Sequence, residues 1–346
     1  MPAKNDFKVV GSSGKTGGSA KWVTLGVITL AVVIAVQAGW AGFGWAQLKS
    51  ALFPGDEGLL AYVPEDAGGV LLVDPHQIEP SALGSESGAV RQTLSRTRDD
   101  MKKATGVDLF FDVDKLALAP SVAVVRGRFD ADALEKRLGE MGYKPAEHKG
   151  QRLLVRAGED AVAIVSGSLV LYGSAESIGE SLDAKESGKS LEKKEGVVER
   201  LKAVGFDHPV LFTMGLSDAR PSVRDILMGS TGPRAVTVGL RTVNGLDVDA
   251  AVDSQSASSA EELRKLLDEK RGNAGALAPV LGGDAGAVIA DTLKKAELRA
   301  QGAQVIGHAH VNAAELDTLM RAANRLAPTG EAYKNLRLFQ LLVPNL

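Results

Sequence analysis

The chain has no cysteine in its 346 residues. That absence excludes a disulfide, a thiolate nucleophile, a cysteine-ligated zinc or iron–sulfur centre and a lipidated cysteine anchor. Aromatic residues are scarce, with three Trp, four Tyr and nine Phe, which leaves few rings on which bases or sugars stack. Neither charge sign dominates: 40 basic and 43 acidic side chains give a net charge of −3. Nothing in that balance pulls the chain toward nucleic acid, and no nucleic-acid partner is expected. With 45% hydrophobic and 24% charged residues the composition is that of a folded protein.

One absence is local. No charged residue occurs between Lys21 and Lys49, and residues 22–46 are mostly Ala, Val, Ile, Leu, Gly and Trp, with Gln37 the one strongly polar member. As a helix this run covers roughly 35 Å, enough to cross a hydrocarbon core of about 30 Å with some tilt. Trp22 stands at one end and Trp40 and Trp45 toward the other, where indole rings favour the water–lipid boundary. Lys4, Lys8, Lys15 and Lys21 precede the run against Asp6 alone, while Asp56, Glu57, Glu65 and Asp66 follow it with only Lys49. Positive flanks stay inside. The expected layout is a flexible cytoplasmic tail (1–21), a span held by the lipid bilayer (22–46) and a juxtamembrane linker (47–68). The main domain then lies in the periplasm or outside the cell, anchored in a bacterial inner membrane.

A cleaved secretory signal is the competing reading, because Val36-Gln37-Ala38 places small residues where a signal peptidase cuts. Against it, the uncharged run continues past Ala38 and carries two more tryptophans. Small residues at Ala31, Ala35 and Gly39 recur every four positions and form a stripe on which a second helix could pair. The span holds no ionisable residue, which argues against a proton-coupled motor or transporter element.

Several motif echoes fail on spacing. Gly11 and Gly14 precede Lys15-Thr16 with only two residues between them, whereas a phosphate-binding loop needs four and must lie between a strand and a helix. No nucleotide is expected. Lys15-Thr16-Gly17 and the pair Ser190 and Lys193 resemble penicillin-binding elements in the wrong chain order. No Gly-x-Ser-x-Gly elbow occurs, since Gly84 to Gly88 has Glu86 at its centre and Gly229 to Gly232 is one residue short.

Beyond the span, short Val-, Leu- and Ala-rich runs alternate with amphipathic stretches. Strands are expected over 69–74, 116–119, 121–129, 151–156, 161–165, 169–172, 210–214, 235–243, 246–252, 296–300 and 304–311. Helices are expected over 88–104, 130–141, 174–184, 197–204, 258–270 and 312–326. Asn244-Gly245 is a hairpin signal because both residues tolerate positive φ. Ser258 with Glu261 and Asn312 with Glu315 have capping-box spacing. A strand, an Asp/Asn/Ser cap and an amphipathic helix recur at Asp130, Ser256 and Asn312, the first and third matching best. The fold class is therefore α+β, a duplicated unit of antiparallel sheet with helices on one face. Its parts are a first unit at 69–184, a solvated linker at 185–195, a second unit at 196–330 and a C-terminal apolar segment at 331–346. That last segment either docks on its own domain or meets a partner or membrane.

Tyr62-Val63-Pro64-Glu65-Asp66-Ala67, Gly127-Arg128-Phe129-Asp130 ahead of Leu134, Gly142-Tyr143, Lys149-Gly150 and Val170-Leu171-Tyr172-Gly173-Ser174 together resemble uncharacterised bacterial single-pass, membrane-anchored extracytoplasmic proteins. The resemblance implies location and fold, and brings no catalytic residue with it.

Chemistry-bearing residues are few. Of the five histidines, His308 and His310 are two apart on a strand, share a face and could present two imidazoles to one metal. No third ligand is visible nearby, so two half-exposed strand histidines is the plainer reading. Asp247, Asp249 and Asp253 also share a strand face, and Asp112 and Asp114 a turn, without the ligand pattern or Gly of a calcium loop. No catalytic residue, cofactor or resident metal is expected. The composite reading is an envelope binding or scaffold protein with a possible envelope protein partner, the alternatives being a cell-envelope hydrolase or a ligand sensor of the same topology. The full-length protein should remain with membranes after alkaline extraction; a soluble, N-terminally trimmed product would contradict the anchor.

Overall fold

The computed structural model describes residues 57–77, 98–156, 160–216, 233–241, 245–272, 283–316 and 318–319. The run 22–46 lies outside them, together with Trp22, Trp40, Trp45, Ala31, Ala35 and Gly39, and so does the segment 331–346. Among the described residues no helix is long and apolar enough to cross a membrane.

Twelve strands form a single antiparallel sheet in the order β11-β12-β10-β9-β8-β1-β2-β3-β7-β6-β5-β4. In chain order they are β1 (Gly69–Val73), β2 (Val113–Leu118), β3 (Val122–Gly127), β4 (Lys144–His148), β5 (Gln151–Val155), β6 (Ala161–Ser166), β7 (Leu169–Gly173), β8 (Val210–Gly215), β9 (Ala235–Arg241), β10 (Gly245–Asp253), β11 (Glu297–Gln301) and β12 (Gln304–Asn312). The helices are α1 (Glu57–Leu60), α2 (98–105), α3 (Ala131–Glu140), α4 (Ala175–Ser187), α5 (Val197–Val204), α6 (Ala257–Gly272) and α7 (Gly283–Lys295). A further helix begins at residue 313.

The sheet is continuous because β1 and β8 pair antiparallel from Gly69↔Met214 to Val73↔Val210. The α+β class therefore takes the form of one sheet running through both expected units. β1 is apolar on both faces, as a central strand must be. Leu71 and Val73 join Leu116, Val125, Leu134, Leu138, Val210 and Leu240 on the α3 face. Val70 and Leu72 join Leu59, Leu60, Val124, Ile178, Leu201 and Leu211 on the α5 face. Helices thus cover both faces, where a single covered face was expected, because β1 to β3 carry apolar side chains at successive positions.

Two expected boundaries change because their residues are drawn into the core. Leu59, Leu60 and Val63 are fully buried, so the end of the expected juxtamembrane linker is part of the core. Within the expected solvated linker at 185–195, Ser190 and Leu191 are buried, and Ser190 bridges Pro64. The edge strand β4 and the helix α7 were not foreseen: Lys-Pro-Ala-Glu-His has no apolar alternation, and the start of α7 is rich in Gly and Ala.

Caps follow the expected chemistry with one displacement. Asp130 accepts from the Ala133 N–H and Ser174 from the Ser177 N–H. Asn312 and Glu315 close a reciprocal capping box, the Asn312 N–H donating to Glu315 and the Glu315 N–H to Asn312 Oδ1. For α6 the cap is Ser256, which accepts from the Ser259 N–H, and Ser258 only hydrogen-bonds the Ser256 hydroxyl.

Each half of the chain contains a helix on the α5 face, a three-stranded meander and a helix on the α3 face: α1, β1–β3, α3 and then α5, β8–β10, α6. In each, a later strand docks on the third strand of the meander, β7 on β3 and β12 on β10. Asp130 and Ser256 thus each cap the helix that follows a meander. Ile178→Ala, a truncation of a fully buried side chain at the α4–sheet contact, should cost about 2–5 kcal/mol, read as a lowered midpoint in denaturant melts.

Candidate functional site

The second half of the sheet carries a row of charge on its α5 face. Period-2 alternation puts Val248 and Leu246 into the core and turns Asp247 and Asp249 the other way. Register then sets partners opposite: Asp249 pairs with Gly239 and His308, and Asp247 with Arg241 and His310. The loop after α5 drops His208 onto the same surface.

The Asp249 carboxylate bridges two imidazoles, receiving His208 Nε2 at 2.8 Å on one oxygen and His308 Nδ1 at 2.8 Å on the other. Asp247 receives His310 Nδ1 at 2.7 Å. His208 Nδ1 faces the Gly205 carbonyl at 2.9 Å, so each ring nitrogen of His208 has an acceptor within reach, and the Arg241 guanidinium lies 3.4 Å from Nε2. Asp207 lies 3.5 Å from His208 Nδ1 and pairs with Arg241 at 2.9 Å. Signs therefore alternate along Arg241, Asp207, His208 and Asp249, with His308 hydrogen-bonded to the far oxygen of Asp249.

His208 is a buried cation, its side chain 1% exposed. Burial pushes the imidazole toward neutrality, yet the hydrogen bonds to Asp207, Asp249 and the Gly205 carbonyl outweigh it and raise the pKa to about 9. Asp249 is held at about 2, chiefly by the His208 hydrogen bond, with His308 adding to it against burial. Asp207 is lowered for the same reason. The ring is seated by a missing side chain. A Cβ at Gly239 would lie 2.7 Å from His208 Cδ2 and 2.5 Å from Val204 Cγ1, so only glycine lets the loop and the end of α5 lie this close to β9.

His308 and His310 behave differently, with side chains 47% and 44% exposed. A carboxylate offers only lone pairs, so each Nδ1 that touches an aspartate carries the proton and each neutral ring keeps its lone pair on Nε2. The expected face-sharing of His308 and His310, and of Asp247, Asp249 and Asp253, is what the register produces. Asp253 serves another cluster, accepting from Arg200 at 3.1 Å and Gln304 at 2.9 Å. Asp112 and Asp114 part company: Asp112 accepts from the Asp108 N–H, while Asp114 lies 3.3 Å from His76 Nε2. Among the described residues no group of three His, Asp or Glu side chains converges to hold a metal.

Two buried carboxylates in the first half had no signature in the sequence. Asp160 accepts from Tyr143 at 2.5 Å, Tyr172 at 2.7 Å and Arg156 at 3.0 Å. Burial and the Asp160 charge drive the Tyr172 hydroxyl well above its ordinary range. Asp108 is opposed by burial but held at about 2 by Arg98, Lys102 and the Phe110 N–H. Both carboxylates are saturated by their own neighbours, which is a structural use. A shallow open depression of about 460 Å³ lies on the far edge of the sheet, lined by Pro145, Ala146, Glu147, Gly150 and Arg152.

No protein-family model matches this chain, and no curated protein matches it. Solved structures titled as crystal forms of TP0453 are similar to it. Form I has a TM-score of 0.42 at 8% identity, covering 77% of this chain and 96% of that one. Form III has a TM-score of 0.43 at 12% identity, covering 76% and 97% respectively.

The His208 shift sets a pH window. Its pKa is raised on folding, so its stabilisation is complete below the unfolded value near 6.5 and is lost as pH rises through about 9. That loss is on the order of 3 kcal/mol, and His208→Gln should remove the pH dependence between these limits, measured by urea melts from pH 6 to pH 10.

Proposed function

We propose that this chain is a bacterial inner-membrane protein with its N-terminus in the cytoplasm and its sheet domain outside, where it binds or scaffolds and performs no chemistry of its own. The topology is supported by the uncharged run 22–46 and by the basic residues before it and acidic residues after it. The two halves, each a helix, meander and helix joined at β1–β8, derive on this reading from a duplicated unit.

The observation that carries the binding reading is the form of the described surface. It offers two sheet edges, β4 and β11, and an open Asp–His face over β10 and β12, and its other buried acids are closed by their own partners. Sheet edges and flat polar faces recognise proteins and peptides. An envelope hydrolase is the second reading, favoured by the carboxylate-held imidazoles of His308 and His310. It requires a nucleophile beside Nε2, and among the described residues no hydroxyl hydrogen-bonds either ring.

A reporter enzyme that matures only outside the cytoplasm, fused after Leu346, should be active, and crosslinking in living cells should capture a recurrent envelope protein. Activity of only a cytosolic reporter would overturn the topology. Hydrolysis of an envelope substrate abolished by His310→Ala would transfer the assignment to the enzyme.

A further inference from the structure

We propose that His308 and His310 form an open site for one borderline divalent transition cation of the copper, nickel and zinc class, built on the exposed face of β12 and oriented by Asp249 and Asp247. The reading is independent of the binding or scaffold role.

Four features converge on it. The two imidazoles stand at alternate positions of one strand, and at about 3.4 Å per residue their Cα atoms are some 7 Å apart on the same face. Each is held through Nδ1 by a carboxylate directly across the ladder, at 2.8 Å from Asp249 and 2.7 Å from Asp247. Metal-binding histidines are held in this way: a carboxylate on one ring nitrogen fixes the tautomer and makes the other nitrogen the better donor. In both rings that other nitrogen is Nε2. With side chains 47% and 44% exposed, both rings have room to tilt toward a common ion at about 2.0–2.1 Å from each nitrogen.

The donor set selects the ion. Two neutral imidazoles suit copper, nickel and zinc, whereas calcium and magnesium require oxygen ligands. No third His, Asp or Glu converges with them among the described residues, so water completes the coordination and leaves positions open. Asp249 and Asp247 are engaged as orienting groups, and His208 is excluded as a ligand because its side chain is buried and its two nitrogens are taken up by the Gly205 carbonyl and Asp249. The carboxylates also reduce the repulsion that a dication meets beside the His208 and Arg241 cations.

The test is titration of the metal-stripped full-length protein, in detergent, with Cu²⁺ alone, followed by electron paramagnetic resonance. One equivalent should bind with superhyperfine coupling to two imidazole nitrogens. His308→Ala and His310→Ala should each lower the affinity at least tenfold, His76→Ala should leave it unchanged, and Asp247→Asn should weaken it about tenfold through the orienting contact. A wild-type spectrum with coupling to fewer than two nitrogens overturns the proposal whatever the variants do. So does binding that survives the His308 and His310 substitutions in protein whose melting is unchanged.

Discussion

The fold depends on one antiparallel seam. β1 and β8 share five paired positions, and through them seven strands on one side and five on the other become a single sheet. Without that ladder each half would expose a long edge whose strand is apolar on both faces, the arrangement most prone to pair with another chain. The seam also explains the placement of the covering helices. α1 and α5, which precede β1 and β8, lie on one face and share a cluster around Val70, Leu72 and Leu211. α3 and α6, which follow the two meanders, lie on the other.

Charge is managed by pairing. The buried acids Asp108 and Asp160 are each surrounded by donors from nearby chain, and Arg200 is held by Asp253. His208 alone is a buried imidazolium joined to carboxylates on both sides. A buried ion pair of this kind contributes little net stability relative to an apolar replacement, but removing one partner is costly because the other is left desolvated and alone. The cluster therefore acts as a clasp between the loop after α5 and strand β10, and it leaves the exposed ends of the row, at His308 and His310, with unspent donor capacity.

Much of the architecture was legible in the sequence, and the reasons are local. Alternation in β10 and β12 and the caps at Asp130 and Asn312 all follow from short-range rules. What escaped was decided at long range. β4 has no hydrophobic pattern because, at an edge, it is exposed along nearly its whole length. The stretch 185–195 is rich in charge, yet Leu191 is buried because its N–H bonds the Val63 carbonyl and draws the segment onto the core. In the site, the pair His308 and His310 announced itself by spacing. His208 could not, since its carboxylate partner Asp249 is 41 positions away and only sheet register brings them together.

The seat under the imidazole at 208 is made by subtraction. Gly239 contributes no functional group, yet the smallest possible enlargement there would strike both His208 and Val204. In a set of sequences aligned to this one, the mark of a retained clasp would accordingly be the glycine as much as the histidine. A chain with alanine at that place has lost the berth, whatever charges it keeps around it.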